Sequence, residues 1–112
     1  MKDNTKILLK SSILGAIIVL VTVLFFRQNW LLFFILIPLA YLMLNIKPDK
    51  REFKFFLFCG FFGSLAEMIS IYIGVWEYSN PNFINIPVWL FILWGIASIY
   101  ILRMGDFFKS LK

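Results

Sequence analysis

"FFLFCGFFGSLAEMISIYIGVW", Phe55–Trp76, decides the fold. It is long, apolar and without the strict alternation of a half-buried strand, and it carries one charged residue, Glu67. A helix needs about 20 apolar residues to cross the hydrocarbon of a bilayer. An open strand there would leave its backbone unpaired in lipid, so the stretch is expected as a transmembrane helix. Working outward, three more runs have the same character. They lie at Ile7–Phe26, Gln28–Ile46 and Phe83–Leu102. The expected fold is all-α: a single integral-membrane domain over residues 1–112, a four-helix bundle with antiparallel neighbours.

Composition supports this reading. Of the 112 residues, 62% are hydrophobic and 15% charged, too few polar groups to cover a soluble domain of this size. The chain has no histidine and a single cysteine, Cys59. Histidine-based metal sites and the Ser-His-Asp or Cys-His forms of nucleophilic catalysis are therefore excluded. No phosphate-cradling glycine loop is present, so no cofactor and no metal is expected. The net charge of +5 sits at the ends of apolar runs, which points to lipid headgroups and membrane topology rather than nucleic acid.

The connections "RQN" (Arg27–Asn29), "KPDKREFK" (Lys47–Lys54) and "EYSNPN" (Glu77–Asn82) are short. In a four-helix topology, Lys2, Lys6, Lys10, Lys47, Lys50, Arg51, Lys54, Arg103, Lys109 and Lys112 fall on one side, and Arg27 alone on the other. The positive-inside rule then puts both termini in the cytoplasm and loops 27–29 and 77–82 outside. So uneven a distribution argues against insertion in both orientations. The first helix is expected to be retained, since "FFRQNW" after it lacks the small residues of a cleavage site. The tail "RMGDFFKSLK" reads either as a short interfacial segment or as a frayed end.

Glu67 is the first candidate for chemistry. It is nine residues from Trp76 and twelve from Phe55, which places it near the bilayer midplane at about 1.5 Å per residue. A carboxylate there costs at least ~2.5 kcal/mol, so it should face protein or water. Gly60, Gly63, Ser64, Ser70 and Gly74 recur with it at three- and four-residue steps, a small and polar stripe suited to close helix packing. No cation lies at its depth. Trp94, counted inward from Phe83, falls at a similar level and could donate its indole N–H; Ser70, Ser98, Tyr41 and Tyr72 are the other polar candidates. Glu67 is either a neutral acid bonded between helices or a site for a ligand, proton or cation.

The second candidate is the outer rim. Trp76 and Tyr78 flank Glu77, while Trp30 and Trp89 fall at the same interface, where aromatic belts gather. Glu77 and Arg27 are the only charges expected outside, and the short loops could bring them together as an ion pair or around a polar ligand. In "NPNFINIP" the bland chemistry is strong. Pro81, Asn80 and Asn82 suit a turn, Asn85 suits an N-cap, and Pro87 suits the first turn of the fourth helix.

The segment "GVWEYSNPNFINIPVWLFILW", Gly74–Trp94, resembles an element of the bacterial and archaeal lycopene cyclase half-domains and related small carotenoid-biosynthesis membrane proteins. Gly74, Trp76, Tyr78, Ile86 and Pro87 carry the likeness. It implies a short helical membrane fold and an isoprenoid ligand. The family pattern continues with two acids where this chain has Val88 and Trp89, so acid catalysis at those positions does not carry over. The chain is also similar to uncharacterised small four-helix membrane proteins.

Three functions fit these observations. The leading one is a non-catalytic module that binds lipid or isoprenoid, or serves as an accessory subunit of a membrane complex. The second is an enzyme acting on an isoprenoid or carotenoid, with an intramembrane Glu as acid and aromatic faces steadying a cation. The third is an oligomeric proton- or cation-linked transporter or channel with Glu67 as its site. The expected partners are membrane lipids, an isoprenoid, and further copies or other subunits.

Overall fold

The computed structural model describes residues 3–74, 76–77, 81 and 86–111. Four helices make up the described fold: α1 Asp3–Phe25, α2 Asn29–Ile46, α3 Lys50–Ile73 and α4 Leu90–Lys109. Each is long and apolar enough to cross a membrane. The molecule is 43 Å in its longest dimension, close to the ~40–45 Å thickness of a bilayer with its headgroups. Large apolar side chains cover its outside, including Leu24, Phe34, Phe58 and Ile69. Helices apolar on every side, yet largely unburied by their own protein, have the composition of membrane spans.

Local chemistry moves the helix ends from where hydropathy puts them. α3 begins at Lys50 rather than Phe55, because Asp49 is its N-cap: the Asp49 carboxylate accepts from the Arg51 backbone N–H at 2.8 Å. This absorbs most of the charged middle connection into helix. α3 ends before Trp76 because Gly74 takes a left-handed conformation (φ 101°) and its N–H bonds back to Ser70 and Ile71. Hence Gly74 terminates the helix instead of packing along it.

The fourth helix differs most. It starts at Leu90, not near Phe83, and runs to Lys109, not Leu102. Pro87 therefore precedes the helix. Its carbonyl accepts from Leu90 N–H at 3.1 Å, and Val88 and Trp89 form the turn between them. Ile86 to Leu90 are all buried, so hydrophobicity here marks a packed connection rather than a span. At the other end "RMGDFFK" continues α4, neither frayed nor a separate interfacial segment. Asn85, Asn80 and Asn82 lie outside the described residues.

α4 is the hub. α3 packs most extensively on it, and α1 and α2 pack on each other and on α4, whereas α3 makes no comparable contact with α1 or α2. Consecutive helices are thus not all neighbours, as a simple up-down bundle would have them. The core is formed by Ile18 of α1, Leu32, Leu36 and Met43 of α2, Ile96 of α4, and the connection residues Ile86 and Trp89. α2 runs through Pro38 as one helix.

The α3–α4 contact depends on missing side chains. A Cβ on Gly60 would lie 2.7 Å from the Phe91 carbonyl oxygen, and one on Gly63 would lie 2.5 Å from the Trp94 ring. Reciprocally, a Cβ on Gly95 would lie 2.7 Å from the Phe56 ring. Ser64 is fully buried beside them. In lipid, helices gain little from excluding water, so such close backbone approach is what binds them. Ser70, by contrast, donates to the Ala66 carbonyl of its own helix at 3.0 Å.

Candidate functional site

Two polar centres lie within the helices, at opposite ends of the α3–α4 pair. The first is Glu67. The Trp94 indole N–H donates to Glu67 Oε2 at 2.5 Å, joining α3 to α4 beside the Gly63 contact. With α3 spanning Lys50–Ile73, Glu67 is six residues from one end and seventeen from the other. It therefore belongs to the half of the helix near the α3–α4 connection, not the middle, because the Asp49 cap and the Gly74 stop displace the span toward Lys50.

Beside Glu67 lies a cavity of about 230 Å³, floored by Leu93, Trp94 and Ala97. A second cavity of about 350 Å³ lies between α1 and α4, lined by Gly15, Ala16 and Val19 on one side and Leu93, Ala97 and Tyr100 on the other. The two share Leu93 and Ala97, so they adjoin along α4 as one furrow face, with α1 beside one cavity and Glu67 of α3 beside the other. Ala97 is exposed and Val19 is 61% exposed, so the furrow opens sideways, toward lipid. Its width comes from small residues: a Cβ on Gly15 would meet nothing within 4 Å. At the far end, Ser12 and the Tyr100 hydroxyl are 2.6 Å apart. Ser12 spends its one proton on the Leu8 carbonyl at 2.8 Å, so Tyr100 is the donor to Ser12. Across Trp94 from Glu67, a separate 420 Å³ space holds Cys59 between Phe58 and Phe62. Its one hydroxyl, Ser98, donates to the Gly95 carbonyl.

The second polar centre was missed by sequence reasoning. Arg103 and Glu52 form a buried ion pair, with side chains 1% and 2% exposed. Arg103 Nη2 donates to Glu52 Oε1 at 2.8 Å and Nε to Oε2 at 3.4 Å. Nη1 donates to Ser11 Oγ at 2.8 Å and meets Met43 Sδ at 3.4 Å. One guanidinium thus touches a residue from each of the other three helices. Lys47, just past the end of α2, is 3.9 Å from Glu52 and 3.5 Å from Asp106, leading the charges outward to the surface. Hydropathy left Glu52 in a connection and Arg103 in a tail. The available signal was periodicity. Glu52 and Phe56 continue the Gly60, Gly63 and Glu67 stripe by four-residue steps, and Arg103 continues the buried stripe of Ile96 and Ile99.

The described outer-rim residues stand in different surroundings. Trp89 is buried in the core and donates to Asn29 Oδ1 at 3.1 Å. Trp76 and Glu77 are exposed, and Trp30 packs edge-on to Phe33. Among the described residues no ion pair joins Glu77 to Arg27, whose guanidinium lies 5.5 Å from the Phe26 ring. Tyr78 lies outside the described residues. No group of three metal-ligating side chains occurs among the described residues.

Comparison with known proteins adds a family. The one described as protein of unknown function DUF2878 matches residues 8–104, nearly the whole helical unit. The chain belongs to the DUF2878 family. The matched span begins in α1 and ends just past Arg103, so in this DUF2878 chain it takes in the furrow and both polar centres. No curated protein and no solved structure matches the chain. The carotenoid-cyclase resemblance of Gly74–Trp94 has no counterpart in these comparisons. At the level the family and the fold support, this DUF2878 protein is a small membrane protein with four apolar helices.

Proposed function

We propose that this protein is a non-catalytic membrane module that holds a lipid chain in the furrow along α4, with both termini cytoplasmic. The carrying observation is the furrow itself: two adjoining, mostly apolar cavities that share Leu93 and Ala97, with a carboxyl group on one wall. Small-molecule sites are concave and mostly apolar, with a few placed polar groups, and this furrow has that composition. The 420 Å³ space beside Cys59 has no hydroxyl or charged group left to orient a ligand, since Ser98 is satisfied within its own helix. The Glu52–Arg103 centre is tightly packed and ties the helices together, a scaffold for the furrow rather than a second site. The ten-to-one distribution of basic residues supports the orientation.

The test uses the open space at Gly15. A phenylalanine there fits without a backbone clash and projects into the furrow. Protein purified in mild detergent should carry a single-chain lipid detectable by native mass spectrometry, and Gly15→Phe should lose it while remaining monodisperse. Equal lipid content in the two proteins would refute binding in the furrow.

A further inference from the structure

We propose that the furrow selects a lipid alcohol: one hydrocarbon chain lying along α4, with its hydroxyl hydrogen-bonded to Glu67. This rests on the furrow-binding reading and adds the chemistry of the headgroup.

The polarity of the walls selects the head. Glu67 is the one charged residue lining the furrow among the described residues. A carboxyl group offers about four lone-pair positions, so accepting from Trp94 leaves room for a further donor. Among the described residues no cationic side chain lines the furrow to hold a phosphate or carboxylate head. Depth acts in the same direction. Glu67 is six residues inside the end of α3, about 9 Å along the axis. A phosphocholine or phosphoethanolamine head drawn that far would shed much of its hydration at high cost, while a hydroxyl exchanges one hydrogen bond for another.

The shape of the furrow selects the tail. Its floor is a single helix, which suits one chain better than the two of a phospholipid. From Leu90 to Tyr100 the floor runs about 15 Å, half the ~30 Å hydrocarbon thickness. A chain of one leaflet's depth fills it. At its end the Tyr100 and Ser12 hydroxyls satisfy each other and the Leu8 carbonyl, so a hydrocarbon terminus meets no unmet polar demand.

The experiment compares two probes on the purified protein in lipid nanodiscs: a long-chain alcohol with a diazirine near its tail, and the methyl ether of the same molecule. The ether keeps the chain and loses the donor. Photolabelling of wild type should favour the alcohol by roughly two- to tenfold, the range of one net hydrogen bond. The label should fall on α1 or α4 near Gly15 and Tyr100. The paired variant Glu67→Leu/Trp94→Phe removes the Trp94 N–H together with its carboxylate acceptor, and should label equally with both probes. Equal labelling of wild type by alcohol and ether overturns the headgroup assignment and leaves furrow binding standing. Absence of labelling by either probe overturns furrow binding itself. If the paired variant does not fold, the wild-type comparison decides alone.

Discussion

Removing the Glu52 carboxylate should destabilise the fold more than removing its partner. In Glu52→Leu the Arg103 guanidinium stays 1% exposed with only Ser11 and the weak Met43 sulfur as partners. Breaking a buried pair from one side costs about 3–5 kcal/mol, because the remaining charge stays desolvated. In Arg103→Met the residual carboxylate still has Lys47 at 3.9 Å, and that ammonium is 31% exposed and linked to Asp106. The cost should therefore be smaller, ~1–3 kcal/mol. The double variant leaves neither charge and should return to within ~1–2 kcal/mol of wild type, since apolar replacement of a buried pair is often neutral or better. Ser11→Ala removes one interhelical hydrogen bond and should cost under about 2 kcal/mol, as such bonds do in membranes. The assay is SDS-titrated unfolding followed by circular dichroism, with all four proteins in the same micelles. Equal losses in Glu52→Leu and Arg103→Met, or a double variant as weak as Glu52→Leu, would refute the burial argument.

Gly60→Leu should dissociate α3 from α4, because its Cβ meets the Phe91 carbonyl at 2.7 Å, while Gly15→Leu should leave thermal stability unchanged; Cys59 accessibility to a maleimide reads the difference. Asp49 has a pKa below its ordinary value, chiefly because its carboxylate accepts from Arg51 N–H; desolvation opposes this, and Arg51 and Lys47 charge assist it. A depressed folded pKa contributes stability above the unfolded value and loses it as pH falls through the folded value. Amide exchange at Arg51 should accordingly stay slow at pH 5 and accelerate below the folded pKa, and Asp49→Ala should abolish that dependence. In a Cys59→Ser background, Glu77→Cys should react with impermeant maleimide added to intact cells and Lys109→Cys should not; the reverse pattern would invert the topology.

The number of helices could be read from the chain because lipid imposes one requirement, about 20 apolar residues per span, and hydropathy measures that directly. Helix ends followed other rules. Asp49 and Gly74 set the ends of α3 through single hydrogen bonds and one left-handed residue, both invisible to a running average of hydropathy. "IPVW", Ile86–Trp89, defeats hydropathy differently: it is apolar because it is buried in the fold, not because it is helical. Glu67 and Trp94 could be brought to a similar level by counting residues from a shared loop, although the α3 end moved by three residues and the α4 start by seven. Glu52 and Arg103 could not, because near a membrane surface a charge is the ordinary occupant and draws no notice.

That asymmetry has a physical origin. A charge in mid-span announces itself through its cost, whereas one a few residues from a helix end looks solvated until packing is known. Here packing removes the solvent: α4 passes through the centre of the fold, and Arg103 on its buried stripe has nowhere to reach except Glu52, Ser11 and Met43. The same centrality of α4 leaves its Leu93–Ala97 face open between α1 and α3, since three helices around one cannot enclose it. The buried ion pair and the furrow are thus two consequences of one arrangement. A change that lets α3 leave α4 should abolish both, and Gly60→Leu, which acts far from the furrow wall at Gly15, separates that arrangement from local filling of the cavity.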